Sequence, residues 1–228
     1  MRKILLLSAC VALFLSQVAV AAPYEYVEGQ HYVKLPMAIH TPDPNKIEVT
    51  EYFSYGCPHC YAFDPEISAW KATLPNDVEF DRTPAIWNKD YEVYAQTYYT
   101  AKALHILDKV HSAIFRAIHA DGMQLNTAAA MAKFFTQYGV SQDEFAKTYT
   151  SFGVRASVQQ AEARGRAYRA TGVPTLIING KYRIEGSMVG SNANMLRVAD
   201  FLIDKERQAM HDPEKSEDKA KNQDASSP

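Results

Sequence analysis

Two cysteines separated by two residues, Cys57-Pro58-His59-Cys60, are the residues of this chain best suited to chemistry. Thiols at that spacing can close into a disulfide and reopen, exchanging two electrons with another dithiol, or can supply half of a zinc site. Zinc needs two further ligands, and no second Cys-x-x-Cys occurs. A structural bridge across so short a loop restrains little chain. Redox exchange makes use of both residues. Pro58 suits the first position of a helix, where its missing N–H costs nothing. The free N–H groups of His59 and Cys60 then lie nearest the Cys57 sulfur. A hydrogen bond to a thiolate contributes about 1.5–3 kcal/mol and a helix dipole about 0.3–1, with a protonated His59 adding more. Together they predict a Cys57 pKa lowered by about two to three units. Because the thiolate exists only in the reduced protein, stabilising it favours donation of the disulfide and makes Cys57 the better leaving group in a mixed disulfide. Cys60, one turn into the helix, is expected to be the buried, resolving thiol.

The surrounding elements must place this pair at a strand-to-helix junction. Residues 31–35 alternate like a short strand, and 47–53 are β-branched and aromatic enough for a buried one. Ala62, Phe63, Ile67 and Trp70 then recur at helical spacing, with Pro65 an expected kink. Residues 78–80 read as a further strand ending near Pro84. From 91 to 171 the pattern is helical, with Asn126 as an expected N-cap, Gly139 as a stop and Ser141-Gln-Asp-Glu144 as a capping box. A polar-faced helix covers 154–170. Residues 173–180 return to strand, Asn179-Gly180 is a hairpin turn, and 182–184 form the return strand. An amphipathic helix covers 192–210, and the charged segment 211–228 is expected to be disordered. The order is that of an α/β fold. His105, His111 and His119 read as surface or boundary residues of the helical stretch. Tyr91, Tyr94, Tyr98 and Tyr99 read as packing residues, and Lys102 as isolated.

The first 21 residues have the pattern of a cleaved export signal. Arg2 and Lys3 precede an apolar run that ends in Ala19-Val20-Ala21. Seventeen residues is at the short limit for a membrane span, and the small-x-small ending favours cleavage after Ala21. Leu7-Ser8-Ala9-Cys10 resembles a lipidation box, but only about six apolar residues precede Cys10, fewer than the usual apolar core. Cleavage would remove Cys10 and leave Cys57 and Cys60 as the only cysteines, in a compartment where disulfides persist. With 228 residues, 47% of them apolar, the chain can build one large domain or two small ones. A formal charge of −2 offers no basic surface for nucleic acid.

Cys57-Pro-His-Cys60, after Phe53-Ser-Tyr-Gly56 and before Tyr61-Ala-Phe63, resembles the DsbA family of periplasmic thiol:disulfide oxidoreductases. Thr171-Gly-Val-Pro174-Thr is similar to that family's cis-proline loop, which lies against the active-site cysteines. A cis peptide there requires a proline. Asn179-Gly-Lys-Tyr182 resembles the hairpin that follows. The resemblance implies an α/β thioredoxin fold interrupted by an inserted helical domain. The spacing agrees, since Cys57 and Pro174 lie more than a hundred positions apart and a bare thioredoxin domain needs only roughly 100 residues in all. The expected divisions are a signal peptide at 1–21, the first part of the thioredoxin fold at 22–87, the helical insert at 88–156, the second part at 157–210, and the tail at 211–228.

The resemblance further implies a soluble, monomeric periplasmic oxidase. It would donate the Cys57–Cys60 disulfide to unfolded or newly exported cysteine-containing proteins and be reoxidised by a DsbB-like membrane quinone reductase. No metal or other cofactor is implied. Val173 and Pro174 would contact substrate, Val173 through its backbone. Glu51 matches the position of the family's buried glutamate and Arg82 that of its basic partner, often a lysine, in proton management for Cys60. An arginine cannot plausibly deprotonate, so shuttling would fall to Glu51 and water. The competing reading of this pair is a structural ion pair at a strand end. Two alternative functions are a reductase or isomerase of the same fold and a redox-inert peptide-binding chaperone. His59 between the cysteines and the lack of a recognisable dimerisation domain disfavour the first, and the presence of both cysteines disfavours the second.

Overall fold

A computed structural model describes residues 26–211. The expected signal peptide with Cys10, and the tail from 212 onward, lie outside the described residues. Among the described residues, five strands form one sheet in the order β1-β5-β4-β2-β3. They are β1 (Val33–Lys34), β2 (Ile47–Phe53), β3 (Val78–Pro84), β4 (Thr175–Ile178) and β5 (Tyr182–Glu185). β2 and β3 are parallel, and the remaining pairs are antiparallel. The central strand β2 is nearly all buried, as a strand covered on both faces must be. Its period of two divides its side chains between those faces. Ile47 and Val49 pack with Phe63 and Ile67 of α1 (Pro58–Lys71) and with Val198 and Leu202 of α8 (Asn192–His211). On the opposite face Tyr52 packs edge-on against Tyr168, near the end of α6 (Phe152–Tyr168).

Between β3 and β4 the chain is helical, as its periodicity predicts. α2 (Lys89–Ala103), α3 (Leu107–His119), α4 (Ala128–Phe135) and α5 (Gln142–Tyr149) precede α6. Four of these helices start on side-chain caps. Asn88, Thr127, Ser141 and Ser151 each accept a hydrogen bond from a first-turn N–H. Thr127, not Asn126, caps α4. α6 begins two residues before the expected 154 because Ser151 caps it there, and it runs unbroken across positions 156 and 157. α1 continues through Pro65 to Lys71. A short helix, α7 (Gly186–Val189), follows β5 without a sequence signal, and α8 ends on His211, which the sequence assigns to the tail.

The Asn179-Gly180 turn has positive φ at both residues, as a two-residue hairpin turn requires. A Cβ on Gly180 would stand 2.1 Å from the Ile39 carbonyl oxygen, so glycine also lets this turn hold the loop before β2. The largest apolar cluster joins Ile114, Phe115, Phe135 and Phe145 of the helical block to Phe53, Tyr55, Cys57 and Cys60. The block is therefore packed onto the strand-to-helix junction by one continuous core. No described helix is long and apolar enough to cross a membrane.

Candidate active site

β2 delivers the chain into Ser54-Tyr55-Gly56, where the N–H of Cys57 bonds the Ser54 carbonyl at 3.1 Å. Cys57 is the extended N-cap of α1 and Pro58 opens the helix. No side chain caps that end, so the first-turn N–H groups are free to face the Cys57 sulfur. Both cysteines are free thiols. Cys57 is 7% exposed and Cys60 is 0% exposed, so only Cys57 can be reached by an incoming sulfur. Gly56 allows a close wall on the other side, since a Cβ there would meet the Tyr94 ring at 2.8 Å and the Tyr91 ring at 3.2 Å.

The two sulfurs are electrostatically distinct. The Cys57 thiol is drawn down from its ordinary 9.0 to about 6. The largest cause is a hydrogen bond from the Cys60 thiol. Burial opposes it, and the backbone N–H groups of Cys60 and His59 and then the His59 charge assist it. The sequence identifies the last three contributions, but the thiol donor is visible only once the helix folds. Cys60 is pushed well above its ordinary value by burial, by its bond to Cys57 and by the charge of Glu51.

The loop before β4 closes over this pair. Val173–Pro174 is a cis peptide, and the Cys57 thiol donates to the Val173 carbonyl at 3.3 Å, bridging 116 positions of sequence. A cavity of about 360 Å³ adjoins the site, and His59, Val173, Pro174 and Met195 are among its lining residues.

Behind Cys60 lies a buried polar cluster. Glu51 and Arg82 are direct partners in the β2–β3 register, and Arg82 Nε donates to Glu51 Oε2 at 2.6 Å. Burial raises the Glu51 carboxyl pKa against the opposing effect of Arg82. Asp64, on the apolar face of α1 and one turn after Cys60, receives Ser112 Oγ at 2.6 Å. His111 lies between Asp64 and Tyr55, with Nε2 at 3.4 Å from Asp64 Oδ1 and Nδ1 at 2.8 Å from the Tyr55 hydroxyl. His111 is buried, contrary to its reading as a surface or boundary residue. His119, half-buried, donates to the Tyr55 carbonyl at 2.8 Å and stacks on Tyr61. Both histidines thus tie α3 to the turn that carries Cys57. The sequence signals were an acid amid Phe63 and Ile67, and a histidine beside Val110, Ile114 and Phe115, which form one apolar face. Lys102 is not isolated: it pairs with Asp81 at 2.9 Å on the surface.

Among the described residues no group of three or more His, Cys, Asp or Glu side chains could hold a metal ion. The arrangement provides an accessible low-pKa thiol, a buried high-pKa thiol one turn away and a backbone carbonyl against the first. That is the equipment of two-electron thiol–disulfide exchange.

Comparison with known proteins points the same way. A family described as the DSBA-like thioredoxin domain matches residues 76–202. The thiol:disulfide interchange protein DsbA of Azotobacter vinelandii is 42% identical over 92% of this chain and 100% of its own length. The crystal structure of Pseudomonas aeruginosa DsbA superposes with a TM-score of 0.78 at 41% identity, covering 82% of this chain and 97% of that one. The oxidoreductase DsbA of Xylella fastidiosa gives 0.77 at 35% identity, over 81% and 99% respectively.

Proposed function

The chain belongs to the DsbA family of periplasmic thiol:disulfide oxidoreductases, and on that premise we propose how its own residues carry the exchange. A thiolate of the client protein attacks Cys57 Sγ of the Cys57–Cys60 disulfide, and Cys60 leaves as a thiolate and takes up a proton. A second client thiolate then attacks the client sulfur of the mixed disulfide, releasing the Cys57 thiolate. The client has lost two electrons and gained a disulfide; this chain has gained both electrons. The opposed shifts of the two thiols carry this reading, because the sulfur released last is the one best stabilised as an anion.

Pro58 opens the helix and His59 adds charge at its start. Val173 and Pro174 border the exchanging sulfur, where a backbone carbonyl can receive an extended client segment. Glu51, held by Arg82, manages the Cys60 proton, and its charge acts on that thiol. The helical stretch 88–156 forms the insert between the two parts of the thioredoxin fold, 22–87 and 157–210. Clients are newly exported proteins with unpaired cysteines, a DsbB-like membrane quinone reductase restores the disulfide, and the signal that directs export is cleaved after Ala21. Equilibration with glutathione buffers tests the donor role. The expected potential lies well above the roughly −270 mV of thioredoxin. A value at or below that figure would make this chain a reductase. Cys57→Ser is expected to abolish exchange, whereas Cys60→Ser, whose Cys57 thiolate can still attack the disulfide of an oxidised client, is expected to remain joined to that client because no second thiol of this chain can release it.

A further inference from the structure

Arg82 has two carboxylates within reach and a firm bond to only one. Its Nε holds Glu51, while its Nη2, buried and without a hydrogen-bond partner, stands 3.6 Å from Asp64 Oδ1. His111 Nε2, equally buried, faces the same oxygen from 3.4 Å. Asp64 Oδ2 is bound at 2.6 Å by Ser112, the neighbour of His111 on α3, and Ser68 adds a long 3.4 Å bond to Oδ1. Two donors from the helical block therefore meet the one carboxylate that competes with Glu51 for Arg82.

We propose that His111 and Ser112 are positioning residues for the Cys60 thiol: by satisfying Asp64 they leave Arg82 committed to Glu51, so that Glu51 stays charged beside Cys60. The inference rests on the reading of Glu51 as the group that manages the Cys60 proton.

The protonation state of His111 fits. The charged or titratable groups facing His111 are Asp64 and Lys71 from α1, Arg82 from β3, Tyr55 from the active-site turn and Tyr98 from α2. Burial outweighs Asp64 and holds His111 neutral, at about 4. With the Tyr55 hydroxyl donating to Nδ1, the ring proton sits on Nε2 and faces the carboxylate. If that donor is lost, Asp64 is a buried anion short of a partner, and the cation available to it is Arg82. Glu51, fully buried, would then take up a proton, and the negative charge that opposes the Cys60 thiolate would disappear.

The test is a pH titration of Cys60, followed by the Cβ chemical shift of carbon-13-labelled cysteine. The full chain carries Cys10→Ser and Cys57→Ala, so that Cys60 is the only thiol. His111→Leu is expected to lower the midpoint by about one unit, a tenfold gain in thiolate at a fixed lower pH. His111→Gln, which keeps a donor over Asp64, is expected to stay at the parent midpoint. Asp64→Asn together with His111→Leu is expected to return to it, because the competing charge is gone. A His111→Leu midpoint equal to the parent, or a shift that survives Asp64→Asn, would overturn the proposal. If His111→Leu does not fold, Ser112→Ala reports instead, with a smaller shift in the same direction expected and no shift overturning the proposal. Glu51→Gln separates the two levels. A lowered midpoint there alongside an unmoved His111→Leu defeats only the role of the helical block. An unmoved Glu51→Gln defeats the reading of Glu51 and the proposal with it.

Discussion

The chemistry of Cys57 is set by atoms that belong mostly to its neighbours' backbones and to Cys60. The largest stabilising contribution to its thiolate is the Cys60 thiol, followed by the Cys60 and His59 N–H groups, with the His59 charge last. Substitution should follow that order. Cys60→Ala is expected to raise the Cys57 pKa more than His59→Ala does, since alanine at 59 keeps the backbone N–H. Titration of the thiolate by ultraviolet absorbance in the reduced protein checks this, and the opposite ranking would place the side chain of His59 above the donors. The motif was legible from the sequence because its chemistry is local: four consecutive residues at a helix start make their own electrostatics. Asp64 and His111 were not, because each is held by a partner far away in sequence, Ser112 for Asp64 at 48 positions and Tyr55 for His111 at 56.

The strand-to-helix junction works because three elements press on it. β2 supplies Phe53 and runs into the turn that carries Tyr55, α2 supplies Tyr94 and Tyr91, and α3 holds Tyr55 by both its hydroxyl and its carbonyl. Gly56 is the point of closest approach, although its φ is not positive. Gly56→Ala is therefore expected to destabilise by about 1–3 kcal/mol through overpacking against Tyr94, read as a lower urea midpoint at unchanged slope. Gly180→Ala is expected to cost at least as much, because strain at positive φ adds to the clash with Ile39. The strands and long helices were readable from periodicity. The ends that shifted did so because a hydroxyl caps the helix there, Thr127 one position after the expected Asn126 and Ser151 ahead of the expected start at 154.

The folded chain as a unit should sense the redox state of its cysteines. The Cys57 pKa is depressed in the folded reduced protein, so its thiolate contributes stability that is present above the ordinary value and lost as pH falls through the folded one. Between pH 9 and pH 6 the reduced form should lose that advantage over the oxidised form, which has no thiolate. After allowance for screening at a partly accessible sulfur, the change is about 1 kcal/mol per pH unit. Urea unfolding of both forms at several pH values checks it, and a constant difference across that window would contradict the pKa assigned to Cys57. The continuous core from Phe145 through Phe115 to Cys60 makes the helical block part of this linkage.

The sequence by itself determined the reacting pair, the helix start that activates it, the α/β order and the helical interruption. Each is encoded over a few residues or one period, where backbone geometry leaves little choice. It also marked Glu51 and Pro174 through family likeness. Tertiary structure alone decided that Glu51 and Arg82 stand opposite each other in adjacent strands, that the Val173 carbonyl faces Cys57, and that His111 belongs to the buried cluster behind Cys60. Those pairings depend on strand register and on the way α3 packs against α1. Both are set by many weak contacts summed over the core, and no short stretch of sequence contains that sum.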